Sequence, residues 1–319
     1  MADPDAVICL GEALIDRLGP LGGDPACDQP VDNRLGGAPA NVACGLARLG
    51  TTVAFVGRVG GDAIGADFQH LFSQRGVDTS TLQLDPSHPT RIVLVRRSGD
   101  GERQFQGFAG DQGDGFADQA LQPVALPASA RWLLVGTIPL ASAQSAQALL
   151  DAVAQARSQG IALALDVNWR PTFWDPAADP VAGPTQAAQS AIRPLLEQAA
   201  LIKLAREEAL WFFGGDDPSL ISAELSQRPD VLVTDGAAPV RWCIGGTSGT
   251  QPAFSPPQVV DTTGAGDAFT AGLLHRWSDP VAGRLRFAAA CGALVCAGAG
   301  GIDPQPTEAQ VDAFLGSVS

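Results

Sequence analysis

The chain has 319 residues, 45% of them hydrophobic and 17% charged, with a formal net charge of −14. That length and apolar content suit one large α/β domain with a sizeable core and argue against disorder. The charge argues against a nucleic-acid partner, because phosphate backbones are bound through Lys and Arg.

Residues 7–10 (VICL) form a short apolar run, the expected first buried strand. Gly11-Glu12-Ala13-Leu14-Ile15-Asp16 follows it without a G-x-G-x-x-G fingerprint, which disfavours a dinucleotide fold. Asp16 can serve simply as a turn cap. In Leu35-Gly36-Gly37-Ala38-Pro39-Ala40-Asn41, Pro39 suits a first helical turn, and Val42, Ala43, Leu46 and Leu49 give that helix an apolar face closed by Gly50. The glycine pair lets a ligand approach the backbone, with Asn41 on the same side. The bland alternative is a plain turn before a helix.

Residues 53–56 read as a strand, and 62–74 as a helix with Ile64, Phe68, Leu71 and Phe72 inward and Gly76 at its end. Residues 91–97 and 102–108 flank Ser98-Gly99-Asp100-Gly101, a hairpin with turn chemistry at its centre. From Arg131 strands and helices alternate: strand 132–135, helix 143–158, strand 161–165. Asp166-Val167-Asn168-Trp169-Arg170-Pro171 then lies past a strand's C-terminal end, where open α/β sheets bind ligands. Arg170 is either a cation lining a site or a salt-bridged structural arginine. A helix over 184–198, a strand at 201–204, and a strand at 231–234 ending in Asp235-Gly236 come next. Residues 240–244 and 251–254 read as edge strands around a glycine-rich turn.

The stretch 260–272 (VDTTGAGDAFTAG) carries the most chemistry. Gly264 and Gly266 let backbone N–H groups converge, and a helix starting there adds the positive end of its dipole. Together they make an anion hole, a natural place for a phosphate. Asp267 is then either an N-cap after a glycine turn or a carboxylate with a task, such as taking a proton from an attacking hydroxyl. Ala268, Ala271, Leu274 and Trp277 recur at helical spacing. Helices are expected over 283–297 and 307–315. No internal repeat and no second compact domain is visible.

Lys203 is the only lysine, against 19 arginines, and it sits in LIKLA with no glycine loop before it. A Walker A loop and a protein-kinase lysine with its HRD loop are therefore excluded. Any phosphoryl transfer must use a backbone anion hole. Six scattered cysteines without a CxxC pair read as small buried hydrophobes, and His70, His88 and His275 show no ligand spacing. A metal–histidine site and a Ser-His-Asp triad are poor candidates. No apolar run reaches the length of a membrane span, and a cytoplasmic location is expected.

Asp261-Thr262-Thr263-Gly264-Ala265-Gly266-Asp267 with its small-residue helix resembles the C-terminal signature of the ribokinase-like (PfkB) sugar kinases. GGAPANVACGLARLG (residues 36–50) resembles their N-terminal signature. Asp166–Trp174 and residues 136–142 (GTIPLAS) look like fructokinase segments, whereas residues 107–115 (GFAGDQGDG) lack the Arg that many fructokinases carry after the lid hairpin. The resemblance spans nearly the whole chain. It implies a three-layer α/β/α sandwich with a mostly parallel central sheet and a small β lid, formed by roughly residues 12–34 and 89–110 within one domain over 1–319.

The resemblance also implies roles. Gly264, Ala265 and Gly266 would cradle the transferring phosphate, and Asp267 would be the catalytic base. Asp16, Gly36, Gly37 and Asn41 would hold the sugar, with Arg170 lining sugar or phosphate. Thr234 and Gly236 would sit by the nucleotide phosphates and ribose, and adenine against helix 283–297, which lacks the Asn that many relatives have near Ala289. Glu208 would hold Mg²⁺ through water, its alternative being a solvated helix glutamate; Ala205 stands where the family often has Asn or Ser. A K⁺ ion would use Asp261 and Thr263 with the carbonyls of Ala297 and Gly300. A homodimer through the lid is open. The implied activity is ATP-dependent phosphorylation of a sugar, foremost fructose, with 2-keto-3-deoxygluconate as the alternative. A carboxylate substrate needs a cation, for which Arg170, Arg91, Arg97 and Arg103 are candidates; Lys203, after a buried strand, is not. Rivals from other classes are an oxidoreductase, which lacks its fingerprint, and an inactive binding homologue, against which Asp267 argues.

Overall fold

The computed structural model describes residues 5–97, 103–127, 130–256 and 258–318; the turn expected at Ser98-Gly99-Asp100-Gly101 lies outside them. Among these residues the strands are β1 (Val7–Leu10), β2 (Leu14–Leu21), β3 (Asp32–Gly36), β4 (Val53–Gly60), β5 (Leu82–Asp85), β6 (Ile92–Arg97), β7 (Arg103–Ala109), β8 (Trp132–Val135), β9 (Ala162–Asp166), β10 (Leu201–Ala205), β11 (Asp230–Thr234), β12 (Val240–Ile244) and β13 (Thr247–Gln251). The helices are α1 (Ala38–Leu49), α2 (Ala63–Arg75), α3 (Ala143–Ser158), α4 (Pro171–Trp174), α5 (Gln186–Gln198), α6 (Arg206–Phe213), α7 (Pro218–Glu224), α8 (Ala265–His275), α9 (Val281–Val295) and α10 (Glu308–Ser317).

The large sheet runs β13-β12-β11-β10-β9-β8-β1-β4-β5. It is parallel from β11 to β5 and antiparallel only at β12 and β13. All four residues of β1 are buried, as a parallel strand covered on both faces requires. Its side chains alternate between two cores. Val7 and Cys9 join Leu46, Phe68, Leu273 and Cys291 on one face. Ile8 and Leu10 join Leu149, Val153, Ile192 and Leu196 on the other. Three layers follow directly from that alternation.

A second sheet, β3-β2-β6-β7, stands apart. Its own small apolar cluster is Ile15, Ile92 and Leu94, with Leu35, Ile64 and Ala109 packed against it, and Leu35 also packs against the main core. β2 leaves β1 across only Gly11, Glu12 and Ala13, so the lid springs from the C-terminal end of the central strand.

Three local expectations need correction. The strand expected over 251–254 lies instead at β13, because Gly245 and Gly246 (φ 57° and 76°) make a tight hairpin directly after β12. Helix α8 starts at Ala265 with Gly264 as its N-cap, so Asp267 lies inside the first turn and does not cap it. Trp277 falls beyond the end of α8 and packs edge-on against Trp132, with ring centroids 4.9 Å apart.

Candidate active site

The C-terminal ends of the central strands, the lid and the start of α8 enclose one cavity of about 690 Å³. Gly264, Ala265, Gly266 and Asp267 line it together with Asp16, Gly37 and Asn41. Asp166, Arg170, Lys203, Glu208 and Thr234 close the floor at the strand ends. Residues more than 200 positions apart in sequence therefore meet around a single space.

The glycine turn is built by steric necessity. Gly264 has φ 78°, and a Cβ there would stand 2.5 Å from the Gly301 Cα. The amides of Gly266 and Asp267 belong to the first helical turn, where no intrahelical acceptor exists. The Ala265 amide instead donates to the Thr262 carbonyl at 3.2 Å, which tightens the turn. At the other wall Gly37 (φ 101°) would drive a Cβ to 2.5 Å from the Glu12 carbonyl oxygen, and a Cβ at Gly36 would stand 3.1 Å from Asp16 Oδ2. Gly36 thus makes room for the Asp16 carboxylate, while Gly37 borders the cavity itself.

Asp267 is held by a neighbour in the lining: Asn41 Nδ2 donates to its Oδ2 at 2.7 Å. Burial and the neighbouring charge of Asp166 push its pKa up to about 6, against the opposing pull of the Asn41 bond and of Lys203. A carboxylate so placed is still mostly ionised at neutral pH and is a far better proton acceptor than an ordinary aspartate.

Lys203, set aside on sequence grounds, is in the cavity wall. Its Nζ donates to both Asp166 carboxylate oxygens at 3.0 and 2.8 Å, and lies 3.2 Å from where a Gly266 Cβ would be. Burial disfavours its charge, but Asp166 outweighs that and holds the proton more tightly than in an ordinary lysine. Thr270 Oγ1 also bonds Asp166, at 3.3 Å, so the pair is tied to α8. The signal was a lone lysine inside an apolar strand: such a charge is tolerated only with a buried partner. Asp166 opens the stretch 166–171 at the end of β9, and no local pattern marks it as the partner of Lys203.

Glu208 is buried rather than a solvated helix glutamate. Its Oε1 accepts from Trp169 N at 2.6 Å and its Oε2 from Ala205 N at 2.7 Å, and burial raises its pKa. It caps α6 and fixes the loop after β9. On that loop Asn168 has φ 41°, and Arg170 Nη1 bonds the Trp169 carbonyl at 2.9 Å while its side chain is exposed at the cavity edge. Thr234 borders the cavity, its hydroxyl donating to the Leu204 carbonyl at 3.3 Å; Gly236 (φ 51°) lies two residues beyond and does not border it.

The other candidate cations are engaged elsewhere. Arg91 is buried, bonded through two nitrogens to Asp118 at 3.0 and 3.1 Å, and surrounded by the rings of Phe108, Phe116 and Phe173. It stiffens the lid base and cannot reach a substrate. Arg97 Nε donates to the Gly19 carbonyl at 2.8 Å, and the Arg103 side chain lies outside the described set. Helix α9 turns most of its small residues, Ala288 to Cys291 among them, into the core against α8, so little of that face is open to an adenine.

Asp261 is buried beneath the turn. Its Oδ1 accepts from Thr263 N at 2.9 Å and its Oδ2 from Gly300 N at 2.8 Å. The segments around Asp261 and Ala297 are joined by Val260 N to the Cys296 carbonyl at 2.9 Å. Both Asp261 oxygens thus accept backbone amides, and the Ala297 carbonyl accepts Gln258 Nε2 at 3.4 Å. Among the described residues no group of three or more His, Cys, Asp or Glu is placed to hold a metal, no helix is long and apolar enough to cross a membrane, and all six cysteines are free.

Comparison with known proteins agrees with this geometry. The family model described as pfkB family carbohydrate kinase matches residues 5–308. A fructokinase of Klebsiella pneumoniae is 36% identical over 310 residues, covering 93% of this chain and 95% of that protein. A fructokinase of Xylella fastidiosa, solved with bound ATP, superposes with a TM-score of 0.82 at 29% identity over 99% of both chains. A fructokinase double mutant of Vibrio cholerae O395, in a fructose, ADP and potassium ion bound form, superposes with a TM-score of 0.82 at 28% identity over 99% of both chains.

Proposed function

The chain belongs to the pfkB family of carbohydrate kinases, and from that premise we propose that it transfers the γ-phosphoryl group of ATP to a hydroxyl of fructose. The observation that carries the mechanism is Asp267: a carboxylate with a raised pKa, in the first turn of α8, held by Asn41 beside the amides of a glycine turn. Asp267 takes the proton of the sugar hydroxyl as its oxygen attacks the γ-phosphorus. The bond from the γ-phosphorus to the bridging oxygen breaks, and ADP leaves with the electron pair. The Gly266 and Asp267 amides and the start of α8 face the charge on the transferring group. Lys203, under Gly266, supplies positive charge from below.

Asp16 and Gly37 border the sugar half of the cavity, with Gly36 giving Asp16 its room. Thr234 is assigned to the nucleotide, with Gly236 beyond it, and Arg170 lines the cavity for sugar or phosphate. The lid sheet covers the cavity and keeps out water that would compete for the phosphoryl group. Glu208 borders the cavity with both its oxygens accepting backbone amides, so it would hold Mg²⁺ only through water; the ion would neutralise charge on the triphosphate. Asp261, whose buried carboxylate accepts the Thr263 and Gly300 amides, would hold a K⁺ together with Thr263 and the carbonyls of Ala297 and Gly300, and the ion would supply positive charge near the turn.

Free cysteines suit a reducing cytoplasm. The edges of the lid sheet at β3 and β7 offer a surface for a second copy, which light scattering of the purified protein would detect. The substrate is tested by kcat/KM for fructose, ribose, adenosine and 2-keto-3-deoxygluconate under one set of conditions with Mg-ATP and K⁺. Fructose is expected to be highest. A higher value for the acid, lost in Arg170→Ala, would replace fructose with the acid.

A further inference from the structure

Glu12 is a buried carboxyl that the mechanism above does not use. It sits between β1 and β2, 2% exposed, at the root of the lid. Its Oε1 accepts the Ala38 amide at 3.1 Å, supplying the cap that Gly37 cannot give to α1. Its Oε2 is buried and has no hydrogen-bond partner among the described residues. The side chain borders the large cavity together with Asp16, Asn41 and Asp267. Behind it lies a second space of about 10 Å³, shared with Arg91, Asp118, Gln119 and Ser142, with room for about one water.

The charges around Glu12 are one-sided. Asp118 faces it from the segment after β7, Asp267 from α8, and Asp16 shares its cavity from β2. Arg91, before β6, is bonded to Asp118. Burial, helped by Asp118 and Asp267, pushes the Glu12 pKa up to about 8, although the Ala38 amide works the other way. Near neutral pH the group is therefore mostly a neutral carboxylic acid. Since Oε1 is occupied by an amide hydrogen, the proton belongs on Oε2. A buried O–H donor without an acceptor is costly, and the cavity beside it is where a polyhydroxyl ligand would supply one.

We propose that Glu12 is a second sugar-binding carboxyl, which donates from Oε2 to a hydroxyl oxygen of the bound sugar while Asp16 accepts hydroxyl protons from the same ligand. This rests on the fructose reading. A hydroxyl both donates and accepts, so one acceptor and one donor in the same pocket discriminate it from a methylene better than two acceptors.

The test is calorimetric titration of wild type, Glu12→Gln and Glu12→Leu with fructose and, separately, with Mg-ATP, near pH 7 and near pH 9.5, either side of the Glu12 pKa. Glutamine keeps an acceptor for Ala38 and a donor for the sugar. Wild type should bind fructose more weakly at the higher pH. Glu12→Gln should bind within about threefold of wild type near pH 7 and show no such pH dependence, and Glu12→Leu should be weakened about tenfold at both. Nucleotide affinity should be unchanged throughout. A Leu variant with wild-type fructose affinity would mean that a water in the small space satisfies Oε2, and would overturn the proposal. So would a Gln variant as weak as the Leu variant. Should Glu12→Leu not fold, the pH dependence of wild type against Glu12→Gln decides alone. Wild type that binds Mg-ATP but no fructose removes the substrate reading first, and is distinct from either failure.

Discussion

Asn41 and Asp267 lie 226 positions apart and are joined by a 2.7 Å hydrogen bond from Asn41 Nδ2 to Asp267 Oδ2. The bond is fixed from behind, because the Asn41 carbonyl accepts Gln305 Nε2 at 2.7 Å. It is also fixed by packing, since Gly45 on α1 lies so close to Ala271 on α8 that a Cβ there would meet the alanine's at 2.9 Å. Two helices from opposite ends of the chain thus aim one carboxylate. Asn41, placed among sugar-binding residues by resemblance, also bonds the carboxylate proposed as the base.

Asn41→Ala should therefore impair catalysis more than sugar affinity. A hydrogen bond to a charged group is worth roughly 1.5–3 kcal/mol, so kcat should fall about 10- to 150-fold. Because the bond favours ionised Asp267, the acid limb of the rate profile should also move to higher pH in the variant. A residue that only contacts sugar would raise KM and leave that limb where it is.

The pH dependence of the wild-type enzyme follows from the same carboxylate. A general base works ionised, so kcat/KM should fall tenfold per pH unit below about pH 6, at a position set by the raised pKa of Asp267, and hold from there to near pH 8, above which loss of the Glu12 proton weakens fructose binding. An acid limb near 4, the ordinary aspartate range, would mean that Asp267 is not the titrating base.

Stability should move in the opposite sense. Asp267 and Glu12 both have folded pKa values above their unfolded ones, at about 6 and about 8. The folded state binds these protons more tightly, so their contribution is fully present below the unfolded pKa values. It is lost as pH rises through the folded ones. Asp267→Asn and Glu12→Gln should each melt at least as high as wild type above pH 8, with a shallower decline of Tm from pH 5 upward. Calorimetry at matched ionic strength reads this out. Variants that lose Tm at high pH would show these carboxylates to be stabilising as anions.

Lys203→Met should be harmful twice over. It leaves Asp166 buried without its cation, which costs roughly 3–5 kcal/mol in stability. Adding Asp166→Asn should recover much of the Tm but not the turnover, because the positive charge under Gly266 is still missing. Full recovery of kcat in the double variant would reduce the pair to a structural one.

What was legible in the sequence follows burial. β8 and α3 were read with their observed bounds, because apolar runs such as WLLV and long helical periodicity are set locally. Helices α2 and α10 begin one residue after Asp62 and Thr307, which cap them by accepting Gly65 N and Gln310 N. β13 was misplaced because TSGTQ is a polar edge strand whose position depends on the Gly245-Gly246 hairpin. The glycine turn and Asp267 were legible as a motif, whereas Arg91, Lys203 and Glu12 were not. Arg91 is bonded to Asp118 and surrounded by three rings, and Lys203 is bonded to Asp166, 37 positions away. Such pairings are made by the fold, and no local pattern announces them.

The most direct measurement is turnover of fructose with Mg-ATP by Asp267→Asn, alongside calorimetric binding of each substrate. Asparagine keeps the shape and an acceptor for Asn41 but cannot take a proton at neutral pH. If Asp267 is the general base, kcat should drop by about 10²–10⁴-fold while both affinities stay close to wild type. A variant that turns over fructose at nearly the wild-type rate would remove Asp267 from the chemistry and leave the glycine turn as a binding site alone.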